Sequence, residues 1–293
     1  MCSFAKVIIF YGMELKIGGN THQYDAPQVM GIINITPDSF YSGSRYSTSK
    51  EVFAAMSRMI EEGAAIIDIG ACSSRPGAVS LSATDEWKRL FPVLKELRRY
   101  FPGTHISIDT FYGDTVVRVY DMIGPFIIND ISAGEDDAEM FPVAARLQLP
   151  LIAMHKRGTP QTMQNHTGYR DVVVDVRDYF ASVLQRVQEA GVGQIILDPG
   201  FGFAKTMEQN FVLLSSLSSL FDFPDVLRII GISRKSMIYK PLGITAEEAL
   251  PATTALHLYA LQQGVDILRV HDVAPAVQII ALFQKNLLNL KAF

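Results

Sequence analysis

Hydrogen-bond acceptors and cations recur along the sequence, each close after a short apolar run. The acceptors are Asp109, Asn129 and Asp198, and the cations are Arg75, Lys235 and Arg269. Carboxylates and amide oxygens accept N–H bonds, whereas Lys and Arg side chains donate to anions and carbonyls. The two kinds together predict a ligand with a donor-rich heterocycle at one end and an anionic group at the other.

Asp198 is the candidate for the most specific contact. A carboxylate accepts two parallel N–H bonds from an amino group and the adjacent ring nitrogen, as in a 2-amino-4-oxopyrimidine ring. Asp109 and Asn129 would then serve the remaining ring nitrogens, and Lys235 would donate to the ring carbonyl. Asp and Asn also often start turns and cap helices. That interpretation explains any one of these residues but not the whole set.

Eight apolar runs rich in Val and Ile alternate with longer segments of helical periodicity, which is typical of parallel strands buried on both faces. The predicted strands are Val29–Asn34, Ala65–Gly70, Ile106–Asp109, Phe126–Asp130, Leu151–Met154, Gln194–Asp198, Arg228–Gly231 and Ile267–Val270. Eight such units in about 250 residues predict an α/β fold, a single (β/α)8 TIM barrel. Function in this fold lies at the carboxyl ends of the strands, so the polar residues would meet at one edge. The same strand ends also carry Asp68, Asp130, His155, Ser233 and Arg234.

Helical periodicity marks the segments between the strands. Thr48 and Glu51 form a capping-box pair before an apolar stripe that ends at Gly63. Further helices are predicted at Asp85–Tyr100, Val172–Ala190 and Ala274–Leu290. The first 25 residues carry glycines between alternating residues, which predicts a short N-terminal β-hairpin covering the barrel bottom. No low-complexity linker divides the chain, so residues 1–293 are expected to form a single domain.

The composition excludes several classes of function. The 293 residues are 48% hydrophobic with a formal net charge of −4, which gives no electrostatic case for binding nucleic acid or a membrane surface. The apolar runs are far shorter than the roughly 20 residues of a membrane helix. The two cysteines, Cys2 and Cys72, do not suggest a disulfide framework, and no zinc-ligand pattern is present. A reducing, cytoplasmic location is therefore expected.

Seven longer strings resemble signatures of the dihydropteroate synthase family, in chain order over nearly the whole sequence. They are MGIINITPDSF at Met30–Phe40, DIGACSSRPGA at Asp68–Ala78, SIDT at Ser107–Thr110, IINDISAG at Ile127–Gly134, DPGFGFAKTMEQN at Asp198–Asn210, SRKSMI at Ser233–Ile238 and RVHD at Arg269–Asp272. Each lies at or just after the end of a predicted strand. One string alone occurs in other barrels, whereas the ordered set is specific.

The resemblance implies roles for individual residues. The family's pterin-binding residues match Asp109, Asn129, Met154, Asp198, Phe203, Gly231 and Lys235. Its diphosphate-binding and catalytic residues match Asn34, Arg75, Arg269 and His271, with Asn34 also helping to hold Mg²⁺. Para-aminobenzoate would contact Phe40, Ser74, Arg75, Pro76, Lys235 and Ser236. Ser236 would meet its carboxylate at the start of a helix, where anions bind well.

The family's reaction joins 6-hydroxymethyl-7,8-dihydropterin diphosphate to para-aminobenzoate, giving 7,8-dihydropteroate and pyrophosphate. The C–O bond to the diphosphate breaks, and the neutral aromatic amine attacks the pterin-stabilised cation. No covalent nucleophile is required, and Cys72 is interpreted as a passive loop residue. The resemblance also implies Mg²⁺ as cofactor, small-molecule substrates as partners, and a homodimer with the C-terminal helices as candidate interface.

The sequence departs from the family pattern on two loops. Ser42 stands where the family commonly has an acidic residue. The usual GGESTRPG string is GACSSRPG here, so that Ala71, Cys72 and Ser74 replace glycine, glutamate and threonine. Because these acidic residues are absent, the protein could alternatively be a catalytically silent paralogue that binds a pterin. A second alternative is a methyltetrahydrofolate–corrinoid methyltransferase barrel, which shares the fold but gives no reason for the SRPG and RVHD strings.

Overall fold

The computed structural model describes residues 12–35, 46, 48–72 and 81–290, with side chains as far as residue 285. The predicted para-aminobenzoate contacts Phe40, Ser74, Arg75 and Pro76, and the variant position Ser42, lie outside these described residues.

The described chain begins with an antiparallel hairpin of β1 (Met13–Ile17) and β2 (Asn20–Tyr24). Gly18 and Gly19 form its turn with φ of 57° and 80°, a region that glycine adopts without strain. A Cβ on Gly18 would lie 2.3 Å from the Pro125 ring, so the turn needs glycine for space as well. The predicted N-terminal hairpin is confirmed.

Eight parallel strands in the described part of the chain close into a barrel. They are β3 (Gln28–Asn34), β4 (Ile66–Gly70), β5 (His105–Asp109), β6 (Ile127–Asp130), β7 (Leu151–Met154), β8 (Ile195–Asp198), β9 (Leu227–Ile230) and β10 (Ile267–Val270). Each pairs with its neighbours in chain order, and β10 closes the ring against β3. The predicted (β/α)8 barrel is therefore confirmed, with strand ends within one residue of those predicted.

Helices connect the strands. Those of the described residues are α1 (Ser49–Glu61), α2 (Ala83–Tyr100), α3 (Gly113–Ile123), α4 (Met140–Arg146), α5 (Val172–Ala190), α6 (Met207–Ser215), α7 (Leu217–Leu220), α8 (Ser236–Leu242), α9 (Leu250–Gln262) and α10 (Val273–Leu290). The predicted capping box of α1 is present, because the Thr48 side chain accepts from the Glu51 N–H and the Glu51 side chain from the Thr48 N–H. None of these helices is long and apolar enough to cross a membrane.

Apolar side chains fill two layers. The larger cluster lies between the strands and the helices. The smaller one closes the barrel bottom and joins Met13, Leu15 and Ile17 of β1 to Met30, Ile66, Ile127, Ile152, Ile196, Ile229 and Ile267 of the barrel strands. The amino end of the barrel is thus closed mainly by apolar side chains, and the described candidate site residues lie at the carboxyl end.

Candidate active site at the carboxyl end of the barrel

A cavity of about 520 Å³ opens where the strands end. The predicted site residues that line it are Asn34, Asp109, Phe203, Gly231, Lys235, Ser236, Arg269 and His271. Three others, Asn129, Met154 and Asp198, do not line it and are buried. The structure therefore brings the predicted residues to one end of the barrel, in two groups that differ in their access to the cavity.

Arg269, near the end of β10, is the electrostatic centre of this group. Its Nε and Nη2 atoms lie 2.7 Å and 2.6 Å from the same oxygen of Asp68, and Nη2 lies 3.3 Å from an oxygen of Asp109. The neighbouring carboxylates, Asp68 first, raise the pKa of Arg269 against the opposing effect of burial. Although Arg269 lines the cavity, its guanidinium is anchored to the barrel interior rather than extended into solvent.

Asp68 connects two predicted site residues, although no role was predicted for it from the sequence. Its side chain is fully buried, and the oxygen that binds Arg269 also accepts from the Asn129 amide at 3.1 Å. Its other oxygen is buried without a hydrogen-bond partner among the described residues. Asp68 thus links a predicted pterin residue to a predicted diphosphate residue. The sequence does contain one signal for such a role, because Asp68 is a carboxylate inside a continuous apolar run. A charge buried in an apolar run is normally paired, so its position indicates a partner elsewhere in the chain.

Asp109 has an unusual protonation equilibrium. Burial raises its pKa to about 7, and the Arg269 guanidinium opposes this shift while Asp68 reinforces it. A carboxyl group in this range changes charge near neutral pH, so its capacity to accept N–H bonds varies with pH.

Asp198 lies at the end of β8, where the chain turns sharply. One of its oxygens accepts from the Gly200 N–H at 2.8 Å, which fixes the start of the following loop. Burial raises the pKa of Asp198, and the Lys235 ammonium counteracts the increase. Its placement agrees with a recognition role, since the carboxylate is held by backbone on one side and opposed by a cation on the other.

Lys235 does not point freely into the cavity. Its Nζ donates to the backbone oxygen of Phe201 and lies 5.0 Å from the centre of the Phe203 ring. Burial lowers the pKa of Lys235 to about 8, against the stabilising charge of Asp198. Lys235 and Phe203 therefore form one polar and aromatic wall of the cavity, and the buried Asp198 acts on Lys235 through its charge.

His271 is held as a neutral imidazole. Burial, followed by the charge of Arg269, lowers its pKa to about 3. The backbone N–H of His271 lies 3.3 Å from the Ser233 hydroxyl, and its Nδ1 lies 3.2 Å from the same oxygen. If the hydroxyl accepts from the backbone and donates to Nδ1, the ring proton is on Nε2. His271 can then donate a hydrogen bond but carries no charge.

Cys72 follows β4 and also lines the cavity. Burial raises the pKa of its thiol, and the nearby Asp109 and Glu86 carboxylates act in the same direction. A thiol in such surroundings stays protonated at neutral pH and is a poor nucleophile. The interpretation of Cys72 as passive agrees with this environment.

Arg234, which follows β9, uses its charge in an ion pair with a protein carboxylate. It forms a two-point ion pair with Asp272, at 2.7 Å and 2.9 Å, and its Nη1 donates to the backbone oxygens of Ala246 and Glu247. Its side chain is 5% exposed. Arg234 therefore ties the loop after β9 to the loop after β10, which carries His271.

We expect Arg234→Met to lower the free energy of unfolding by about 3–5 kcal/mol, because Asp272 would remain as a largely buried, unpaired charge. Urea denaturation measures this change. Arg118→Met is the control, since its pair with Asp114 is exposed at 43% and 62% and should change stability by less than about 1 kcal/mol. Equal effects of the two substitutions would contradict a structural role for the Arg234 pair.

The chain is similar to known proteins over nearly its whole length. A family model described as pterin binding enzyme matches residues 30–271. The dihydropteroate synthase of Escherichia coli is 36% identical over 277 residues, which are 94% of this chain and 97% of the relative. The crystal structure of the Yersinia pestis dihydropteroate synthase with a sulfonamide drug complex has a TM-score of 0.87 at 34% identity, covering 94% of this chain and 98% of that one. The Xanthomonas albilineans dihydropteroate synthase with 4-aminobenzoic acid has a TM-score of 0.83 at 34% identity, covering 93% and 97%.

Proposed function

Because the chain belongs to the dihydropteroate synthase family of pterin-binding enzymes, we propose the family's reaction for its cavity. The protein condenses 6-hydroxymethyl-7,8-dihydropterin diphosphate with para-aminobenzoate to give 7,8-dihydropteroate and pyrophosphate. The observation that carries this conclusion is the Asp68 carboxylate, which joins Asn129 to Arg269. Asp68 thereby holds Asn129, an acceptor for the heterocycle, close to Arg269, a cation for the anionic leaving group.

The pterin ring would bind against the buried acceptors. Asp198 would accept from the amino group and adjacent ring nitrogen, with Asp109 and Asn129 serving the other nitrogens. Phe203 would lie against the ring, and Met154 and Gly231 would line the same end. Lys235 would exchange its bond to the Phe201 carbonyl for one to the ring carbonyl, which the closeness of Lys235 to Phe203 supports.

The diphosphate would bind at Arg269 and His271. Arg269 uses Nε and Nη2 for the carboxylates, so its Nη1 donors can serve phosphate oxygens while the group stays anchored. His271 would add a neutral Nε2–H donor. As the C–O bond breaks, negative charge develops on the leaving group, and these preorganised donors stabilise it. The amine then attacks the carbon, and because aromatic amines are neutral near pH 7, no strong general base is needed.

Mg²⁺ fits this end of the cavity. Mg²⁺ prefers oxygen ligands and usually binds through few protein groups, several waters and substrate phosphates. Asn34 lines the cavity and supplies an amide oxygen. No group of three or more His, Cys, Asp or Glu side chains within the described ranges could hold a metal by itself. Asn34 would therefore hold the ion together with the diphosphate, and the bound ion would supply positive charge to the leaving group.

Para-aminobenzoate would bind at the outer part of the cavity. Ser236, the first residue of α8, lines this part beside Lys235. The remaining contacts proposed for it, Phe40, Ser74, Arg75 and Pro76, lie outside the described residues, and Arg75 would also contact the diphosphate. A sulfonamide that mimics para-aminobenzoate would compete for the same position, in keeping with the ligand of the Yersinia pestis relative.

The decisive experiment is a pyrophosphate-release assay with both substrates and Mg²⁺. Release that requires para-aminobenzoate supports the synthase, and chelation of Mg²⁺ should stop it. Absence of release, with transfer of a folate methyl group to a corrinoid instead, would establish the methyltransferase alternative. Binding of the pterin without any turnover would establish a silent paralogue, and complementation of a synthase-deficient strain checks the same distinction in cells.

We expect kcat/KM for the pterin diphosphate to depend on pH in a bell shape. The pKa of Asp109 is about 7, so acceptance of N–H bonds falls as pH drops below that value. The pKa of Lys235 is about 8, so its charge is lost as pH rises above that value. Activity should therefore peak between the acid limb and the alkaline limb. Asp109→Asn should flatten the acid limb and Lys235→Arg should move the alkaline limb upward. Unchanged limbs in both variants would refute the assignment.

We further propose a homodimer located in the cytoplasm. Apolar side chains on α6 and α9, namely Phe211, Val212, Leu256 and Tyr259, line one shallow surface groove. Phe211, Val212 and Tyr259 are 38%, 47% and 38% exposed, and their contiguity makes this patch a candidate for a protein–protein interface. Sedimentation equilibrium of the protein measures the subunit number directly. A Val212→Glu variant should shift it toward the monomer.

A further inference from the structure

Lys205 is a buried lysine that none of the roles above uses. It lies in the loop after β8, and only 3% of its surface is exposed. Its Nζ lies 2.9 Å from Nδ1 of His155, 3.0 Å from the backbone oxygen of Gly200 and 3.0 Å from that of Phe203. One side chain thus connects the end of β7 with two points on the loop that carries Phe203.

These contacts fit an ammonium group. An ammonium has three N–H donors, and the three acceptors named above lie within 3.0 Å of Nζ, with the backbone oxygen of His155 as a longer fourth contact at 3.4 Å. Nδ1 of His155 then accepts and the ring proton is on Nε2. Burial lowers the pKa of His155 to about 2, in keeping with a neutral ring. Burial also lowers the pKa of Lys205, with Asp198 acting in the opposite direction and Lys235 and Arg157 in the same one. The Asp198 carboxylate therefore favours the charged form of Lys205, as do the acceptors around Nζ, and both oppose the effect of burial.

The loop between Asp198 and Thr206 is held in a conformation that requires such an anchor. Gly200 has a φ of +66°, and a Cβ there would lie 2.1 Å from the backbone oxygen of His155. Ala204 has a φ of 50°, a left-handed conformation that is strained for a residue with a side chain. The Gly202 N–H donates to the buried Asn210 side chain at 2.7 Å. The close backbone approach at Gly200 and the strain at Ala204 persist only if surrounding contacts stabilise the loop, and the Lys205 hydrogen bonds are such contacts.

We propose that Lys205 is a positioning residue for the pterin end of the site. It holds the loop against the end of β7, so that Asp198 and Phe203 face the heterocycle in a fixed arrangement before substrate binds. This proposal rests on the proposed function for the identity of the ligand. Preorganisation of this kind reduces the entropic cost of binding, and the benefit is confined to the ligand that touches the loop.

The structure predicts which ligand is affected. Arg269 is anchored on Asp68 and Asp109, and His271 on Ser233. None of these contacts passes through Lys205 or His155. Loss of the Lys205 contacts should therefore weaken binding of the pterin ring and leave binding of pyrophosphate unchanged, a selectivity that general destabilisation would not produce.

The experiment compares Lys205→Met and Lys205→Gln with the wild type, and uses Lys95→Met, an exposed lysine on α2, as the matched control. Calorimetry measures the affinity for 6-hydroxymethyl-7,8-dihydropterin and, separately, for pyrophosphate with Mg²⁺. Lys205→Met should weaken pterin binding by about tenfold or more and raise the KM for the pterin diphosphate by a similar factor, with a smaller effect on kcat. Lys205→Gln, which keeps amide donors, should recover part of the affinity. Pyrophosphate affinity and the control should stay within about twofold of the wild type.

Three outcomes would overturn the proposal. They are unchanged pterin affinity in a folded Lys205 variant, equal loss of pterin and pyrophosphate affinity, and failure of both variants to fold. Circular dichroism distinguishes the last case. A wild-type protein that binds no pterin would instead refute the proposed function, so the two failures are separable.

Discussion

Asp198→Asn is expected to weaken binding of the pterin by about 100-fold, or about 3 kcal/mol. The substitution removes the negative charge, and it replaces one of two accepting oxygens by an NH2 group that would face an N–H donor of the ring. In the wild type the Gly200 N–H donates to the Asp198 carboxylate at 2.8 Å. Asparagine keeps an oxygen that can accept this bond, so the loop should keep its conformation. The loss would therefore report on ligand recognition. Calorimetric titration with 6-hydroxymethyl-7,8-dihydropterin measures it.

Two variants give the controls for this result. Asp198→Ala removes the contact to Gly200 as well and should weaken pterin binding further. Asp222→Asn changes a side chain that is 80% exposed and should leave pterin affinity unaltered. Pterin affinity retained in Asp198→Asn would show that the ring is recognised elsewhere, with Asp109 as the next candidate.

The barrel was predictable because its signal is local and repeated. Strands buried on both faces appear in the sequence as continuous Val and Ile runs, and eight such runs alternate with amphipathic helices. Even the hairpin at the barrel bottom could be inferred from alternation and glycine placement. The physical cause is that each strand and helix is selected largely by its own periodicity.

The contacts inside the site were less predictable, since they depend on pairs that are distant in sequence. Arg269 and Asp68 are 201 positions apart, and nothing near either residue identifies the other. Lys205 is similar, because its importance follows from the strand end at His155, 50 positions away. Matching strings predicted site residues but not the buried groups that contact them, such as Asp68 beside Arg269.

Arg234 is a residue whose position in the sequence suggests a ligand contact that its structural contacts do not support. In the sequence it stands between Ser233 and Lys235, and all three look like ligands at a strand end. The structure gives Arg234 a left-handed φ of 54° and directs its side chain to Asp272 instead. The ion pair with Asp272 therefore makes Arg234 a structural cation, although it stands beside Lys235 at the same strand end.

Arg269→Met should lower both stability and activity, by separate physical causes. Stability should fall by about 3–5 kcal/mol, because Asp68 and Asp109 lose the cation that offsets their burial. Activity, as kcat/KM in the pyrophosphate-release assay, should fall on the order of 10³-fold, because a preorganised donor to the leaving group is lost. Arg269→Lys should recover little activity, since a compact ammonium lacks the planar fork with which Arg269 reaches the carboxylates through Nε and Nη2 and the phosphate through Nη1.

The stability loss should also depend on pH with a definite sign. Burial holds the folded-state pKa of Asp109 at about 7, above that of an exposed carboxyl, so ionisation of this group destabilises the fold as pH rises through that range. Arg269 lowers this pKa, and its removal raises it further. Urea denaturation should therefore show a larger difference between wild type and Arg269→Met at about pH 8 than at about pH 5.

A second substitution separates the two effects of Arg269→Met. Asp68→Asn removes one buried charge that Arg269 balances, so the double variant should regain part of the lost stability. It should not regain activity, because the donor to the leaving group is still absent. Recovery of turnover in the double variant would mean that Arg269 serves only to neutralise Asp68, and that another cation, with Arg75 as the first candidate, stabilises the departing pyrophosphate.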